Sequence, residues 1–326
     1  MKRTNKLLSG ILISLACIFV LINFIPPTDA IAINSFMNTD NRVNVAFDSG
    51  SCSNLPPNTM IAFNTAVSYG TMTFSLDVVK TMDDVLIVTD SDDLSVYTNS
   101  EGKISEKNYD EIKDLNFAYN YTDDGTTYTY RAQRHSCVKL EDLISSYPYA
   151  EYIINIVQTG ESGKKTATLL SEIIRKNNLS INCVIRADED TIDIIRNDDN
   201  IHVLTEPYKN ETGLYFLLHK AHISNLCFKI NYQFIEIPIE NLASYSKSAL
   251  EGLQKRNVAI YVSGVDSEEK LDEALSYNIN GVITSDSKLI TELLSTKTEN
   301  TPDNDSTDMT NNNQTTQPEE ENNNVL

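Results

Sequence analysis

The sequence predicts an α/β protein, a (β/α)8 TIM barrel, on three observations. Apolar β-type runs alternate with helical patterns from about residue 41 to residue 295, and such alternation implies a mostly parallel sheet. About eight βα units fit into roughly 250 residues, which suits a closed barrel better than an open sheet. No Gly-x-Gly-x-x-Gly follows the first strand, which removes the main support for a dinucleotide-binding sheet. The barrel is flanked by residues 1–32 and by a tail, residues 296–326.

The N-terminal flank carries Lys2, Arg3 and Lys6, then residues 7–25, LLSGILISLACIFVLINFI, without a charge. A run of that length spans a bilayer as a helix, with its basic flank in the cytoplasm. Ala30-Ile31-Ala32 offers a small-x-small cleavage site instead. Residues 1–32 therefore read as a membrane anchor or a signal peptide. Both place the barrel on the extracellular face, single-pass anchored or secreted.

Strands are expected at 43–47, 71–79, 85–89, 151–157, 181–186, 201–205, 226–230, 234–239, 258–263 and 281–285. Helical patterns fall at 59–70, 139–148, 165–178, 248–257 and 267–278. Asp266-Ser267 precedes Glu268 as an N-cap should. Lys255 and Arg256 put positive charge at the end of the helix before it. The tail is rich in Asn, Thr, Asp and Glu. It holds too little apolar surface to offset its chain entropy, so it is expected to be disordered.

The formal charge is −20. Nucleic acid is excluded as a partner, because phosphates need Lys and Arg to neutralise them, and anionic substrates are poorly attracted. Cys52, Cys137, Cys183 and Cys227 lack zinc-site spacing. Export permits disulfides. Cys183 and Cys227 lie in apolar strand-like runs and read as buried thiols, whereas Cys52 and Cys137 lie on loops of one barrel face and form a candidate pair.

Barrel chemistry belongs at the C-terminal ends of the strands. Those ends carry Asp48, Asp77, Asp90, Asn155, Arg186, Glu206, Glu236, Ser263 and Ser285. The loop after the first strand, DSGSCSNLPPNT (48–59), has the frame of an active site but no His, Arg, Lys or Glu. Asp48, Asp77 and Asp90 read as a solvated acidic rim or as oxygen ligands for Ca²⁺ or Mg²⁺. His135, between Arg134 and Ser136, reads as part of an ordinary polar loop or as a replacement base beside Arg131 and Arg134. The Tyr-rich stretch 119–131 reads as a self-packed excursion or as a sugar- or lipid-binding lip.

Several stretches, in order and correctly spaced, resemble the glycerophosphodiester phosphodiesterase family. NTMIAFNTAVSYG, FSLDVVKTMDDVLIV, TNSEGKI, VKLEDLISSYP and NGVITS carry the resemblance over approximately residues 41–292. The family's members are (β/α)8 barrels. Their loops carry HRG, PEN, Glu-x-Asp, His-Asp and Glu-x-Lys, which hold a divalent cation against a phosphate while two histidines move protons. On that pattern HRG is Asp48-Ser49-Gly50 and PEN is Pro56-Pro57-Asn58. Glu-x-Asp is Ser75-Leu76-Asp77, His-Asp is Asp90-Ser91, and Glu-x-Lys is Asn155-Ile156-Val157. The resemblance thus implies Asp48 and Asp90 at the two histidine positions, Asn58 facing substrate, and Asp77 and Asp48 as what remains of a Ca²⁺ or Mg²⁺ site, with no other cofactor. It implies a catalytically degenerate domain serving as a surface or binding protein for a small-molecule, lipid-derived or cell-surface ligand. The alternative is an active metal-dependent hydrolase that releases glycerol-3-phosphate and an alcohol. An uncleaved N-terminal helix adds the membrane as a partner.

Overall fold

The computed structural model describes residues 10–18, 20–21, 32–37, 42–51, 54–224 and 229–299. Eight parallel strands make the wall. They are β1 (Asn44–Asp48), β2 (Thr73–Lys80), β5 (Glu151–Ile156), β6 (Cys183–Arg186), β7 (Leu204–Thr205), β8 (Phe234–Pro238), β9 (Ala259–Ser263) and β10 (Gly281–Thr284). Their order is β7-β6-β5-β2-β1-β10-β9-β8, and every neighbouring pair is parallel. Among the described residues no ladder joins β7 to β8. The seam is closed by the Gln233 amide donating to the Thr205 carbonyl at 3.1 Å, and by the Thr205 amide donating to Gln233 Oε1 at 3.1 Å. The result is a nearly closed barrel.

Alternate wall residues fill the interior, where Ala46, Ile153, Val184, Phe234, Ala259 and Ile283 pack together. The other face of the wall packs on the helices in two larger clusters, one around β1, β2, β5 and β6, the other around β8 to β10. Burial on both faces explains why these strands read as continuous apolar runs.

The run at 85–89 departs from expectation. Its strand, β3 (Leu86–Val88), is not part of the wall but pairs antiparallel with β2 (Val78↔Val88) and with β4 (Val138–Lys139). Residues 81–84 are a tight turn with Asp84 at φ 67°, and a turn that short makes a hairpin, not a parallel crossover. β2 therefore overshoots the wall and β3 brings the chain back, with Thr89 N–H donating to the Asp77 carbonyl at 2.9 Å. The run at 226–230 also differs: Lys229 and Ile230 lie in no strand, and 225–228 are outside the described residues.

Ser267 caps the helix Glu268–Leu275 as expected, its side chain accepting from Lys270 N–H. Arg256 does not serve as a surface charge. It is buried and donates to the Ser224 carbonyl at 2.8 Å. The last helix, Ser287–Glu299, continues past Thr296, and the rest of the tail lies outside the described residues. Of the apolar run 7–25, residues 10–18 and 20–21 are helical. Among the described residues no helix is long and apolar enough to cross a membrane.

Candidate functional site at the barrel mouth

β1 ends at Asp48 and runs into a 3₁₀ turn, Ser49–Ser51. Gly50 N–H donates to Asp48 Oδ1 at 3.1 Å. The buried Ser49 hydroxyl donates to Asn58 Oδ1 at 3.0 Å, and Asn58 N–H returns a bond to the Ser49 carbonyl at 2.8 Å. Asn58 adopts φ 57°, a left-handed geometry that Asn accepts better than most residues. These bonds staple the loop shut at its base. From there Asn58 Nδ2 donates to Asp90 Oδ1 at 3.3 Å, and the Tyr97 hydroxyl donates to the same oxygen. Burial, reinforced by Asp90, pushes the Tyr97 phenol far above its ordinary pKa, so it stays a neutral donor. A Cβ placed on Gly50 would lie 3.5 Å from Asp90 Oδ2 and 3.7 Å from Asp48 Oδ1. Asp48, Asn58 and Asp90 thus meet around Gly50.

A second row crosses the wall in register, Asp77↔Asn155↔Arg186. Asn155 Nδ2 donates to Asp77 Oδ1 at 2.5 Å. Burial raises the Asp77 pKa, opposed by that bond and by Arg186. Arg186 Nε donates to Glu206 Oε2 at 3.0 Å, and its Nη1 lies 2.5 Å from Glu236 Oε2. Burial alone would lower the Arg186 pKa, but Glu206 and Glu236 outweigh it and hold the guanidinium firmly charged. Glu206 also accepts the Glu236 amide at 2.9 Å, and burial raises its pKa against the pull of Arg186.

The Tyr-rich excursion joins the mouth through the Asn120 amide, which donates to the Tyr97 carbonyl at 3.2 Å. Arg131 lies over the rings of Tyr119 and Tyr128, 4.8 and 3.5 Å from their centroids, and Arg134 pairs with Asp114 at 2.9 Å. The His135 ring packs edge-on against Tyr130, and burial lowers its pKa. The excursion is therefore self-packed. Cys137 is a free thiol, pushed up to about 12 by burial. Its candidate partner Cys52 lies outside the described residues, as does Cys227. Cys183 is buried and free, as expected.

With this geometry in hand, the family model described as "Glycerophosphoryl diester phosphodiesterase family" matches residues 49–289. The chain belongs to the glycerophosphoryl diester phosphodiesterase family. No curated protein matches it by sequence. Solved structures agree on the fold. The phosphodiesterase domain of an uncharacterized Mycobacterium tuberculosis protein superposes with TM-score 0.65 at 13% identity, covering 77% of this chain and 98% of the other. A glycerophosphodiester phosphodiesterase from Agrobacterium tumefaciens gives 0.61 at 16%, covering 77% and 99%. An Oleispira antarctica phosphodiesterase, solved with its product sn-glycerol-3-phosphate, gives 0.61 at 14%, covering 80% and 98%.

Within this glycerophosphoryl diester phosphodiesterase fold, the donors present do not suit the divalent cation that the family implies. Among the described residues no group of three or more His, Cys, Asp or Glu side chains can hold a metal ion. Asp77 is tied to Asn155, its partner position is the buried Ser75, and Asn155 itself is an amide. Two features of the site escaped sequence reasoning. Tyr97 follows Asp90 on an irregular loop with no periodic signal. Arg186, Glu206 and Glu236 were legible as strand-end residues, but their pairing was not.

Proposed function

We propose that this chain is an exported phosphodiesterase-like domain that has lost phosphodiester hydrolysis and works as a surface or binding protein for a small-molecule, lipid-derived or cell-surface ligand. One observation carries the reading: carboxylates of Asp48 and Asp90 flank Gly50 where the family's proton-moving histidines are expected. Histidine is the side chain suited to exchanging protons near neutrality, and general acid–base catalysis at pH 7 depends on such a group. The charge balance points the same way. Arg186 is already held by Glu206 and Glu236, so an arriving phosphodiester meets carboxylates without a ready counter-charge. A like-charge contact at 4 Å costs about 4 kcal/mol at an effective dielectric of about 20.

One observation favours the second reading, an active hydrolase. Asp77 retains the last position of the Glu-x-Asp motif and has a raised pKa, caused by burial. Glycerol-3-phosphate release from simple glycerophosphodiesters decides between the two. Release at the uncatalysed rate, with chelator and with added Mg²⁺ or Ca²⁺ alike, supports loss of hydrolysis. Metal-dependent turnover abolished by Asp77→Ala would establish the hydrolase. N-terminal sequencing of the mature protein separates the anchored form from the cleaved one.

A further inference from the structure

We infer that the floor of the barrel, the face opposite the mouth, docks on the surface of a lipid bilayer, so that the mouth points away from the membrane. The inference rests on the anchored form of the proposed function and adds an orientation to it. The floor is where the wall strands begin. The segment 32–37 crosses it as a strap. Phe36 is fully buried in the barrel interior, edge-on to Phe234 and Tyr261. Asn34 Nδ2 donates to the Asn257 carbonyl at 3.2 Å, and the Ser35 hydroxyl to the Ile181 carbonyl at 2.8 Å. The chain therefore joins the folded barrel at its floor. From Ile25, the end of the apolar run, to Asn34 an extended chain reaches at most ~30 Å. An anchor in the bilayer holds the floor within that distance of the lipid.

The floor has the surface for such contact. Large apolar side chains stand exposed on the loops that precede the strands: Ile33 (67%), Tyr69 (38%), Met72 (38%), Tyr149 (87%) and Ile181 (70%). Four of them line two hollows. Met72, Tyr149 and Asn182 line one hollow of about 1200 Å³, and Ile181 and Ile33 line a second of about 770 Å³ beside the strap. Exposed apolar clusters mark contact surfaces, and Tyr and Ile suit the interfacial layer of a bilayer. Charge supports the same polarity. Arg42 precedes β1, and Arg175 lies in the last turn of the helix Gly160–Asn177, so exposed cations lie towards the floor. The floor also holds Glu151, beside Asn44, and Asp198, near Arg175, whereas Asp48, Asp77, Asp90, Glu206 and Glu236 gather at the mouth, and an anionic headgroup layer repels that end more.

The chain contains no tryptophan, so single Trp reporters are unambiguous. Full-length Leu15→Trp, Tyr149→Trp and Val96→Trp variants are reconstituted in phosphatidylcholine–phosphatidylglycerol vesicles carrying brominated acyl chains. Leu15 reports the apolar run, Tyr149 the floor, and Val96, exposed beside Tyr97, the mouth side. The expected result is strong quenching at Leu15→Trp, and quenching at Tyr149→Trp about twofold or more above that at Val96→Trp. Adding Ile181→Asp to Tyr149→Trp should lower its quenching without changing the far-UV circular dichroism. Quenching at Leu15→Trp with equal signals at the floor and mouth reporters overturns the docking while leaving the anchor standing. No quenching at Leu15→Trp removes the anchored reading, and this inference with it.

Discussion

The mouth and the floor are the two ends of the same eight strands, yet they satisfy their polar groups in different ways. At the floor, Asn44 Nδ2 donates to Thr73 Oγ1 (3.1 Å), Glu151 Oε2 (3.0 Å) and Tyr261 Oη (3.0 Å), a compact cluster close to the Phe36 plug. At the mouth, the ion pairs of Arg186 with Glu206 and Glu236 stand beside hydrogen bonds from Asn58 and Tyr97 to Asp90 and from Asn155 to Asp77, and carboxylates outnumber the guanidinium they share. The floor closes the fold. The mouth concentrates one sign of charge. Holding the barrel together and processing a phosphodiester are separate physical tasks, carried by opposite ends of the strands.

The contrast can be broken most sharply at Arg186. Arg186→Met leaves the partly buried Glu206 and Glu236 without their counter-charge, and breaking such a pair from one side is expected to cost about 3 kcal/mol, the low end for buried pairs. Urea denaturation measures this. Adding Glu206→Gln and Glu236→Gln should recover most of the loss, since no charge is then stranded. A loss that persists in the triple variant would mean that packing, not ion pairing, orders the mouth.

Next comes the floor. Phe36→Ala empties the plug position and is expected to cost about 3 kcal/mol, at the low end for a buried Phe because the strap can detach. The same denaturation experiment reads it, and an unchanged midpoint would show the barrel indifferent to its plug.

Tyr97→Phe is a smaller test. It removes one of the two side-chain donors to Asp90 Oδ1, with an expected loss of about 1 kcal/mol. Thermal melting with a shift confined to that range would agree.

The smallest effect has the opposite sign. The folded-state pKa of Asp77 lies above its ordinary 3.8, chiefly through burial. Its contribution is favourable below the unfolded value and is lost as pH rises through the folded one. Asp77→Asn should therefore raise the melting temperature at pH 7, and the gain should vanish on acidification below about pH 4. A wild type more stable than Asp77→Asn at pH 7 would show that Asp77 is held by its partners more strongly than burial penalises it.

Much of this architecture was legible in the chain. The alternation of strands and helices, the Ser267 cap and the ordered family motifs are local signals, and each appears where expected. What was misread depended on neighbours. The run at 85–89 has the composition of a wall strand, but its pairing is set by the short turn before it. Arg256 sits where a helix C-terminus wants positive charge, yet the chain around it buries it.

The sequence by itself determined the barrel class, the family and which residue types stand at each strand end, because hydrophobic periodicity and strand-end position are local properties. Only the tertiary structure decided what those residues meet. Strand register aligns Asp77 with Asn155 and Arg186, the β2–β3 hairpin returns Asp90 to Asn58, and the seam between β7 and β8 gives Arg186 its two glutamates. Such contacts join residues far apart in sequence. They follow from closing the sheet, which no short stretch of chain encodes.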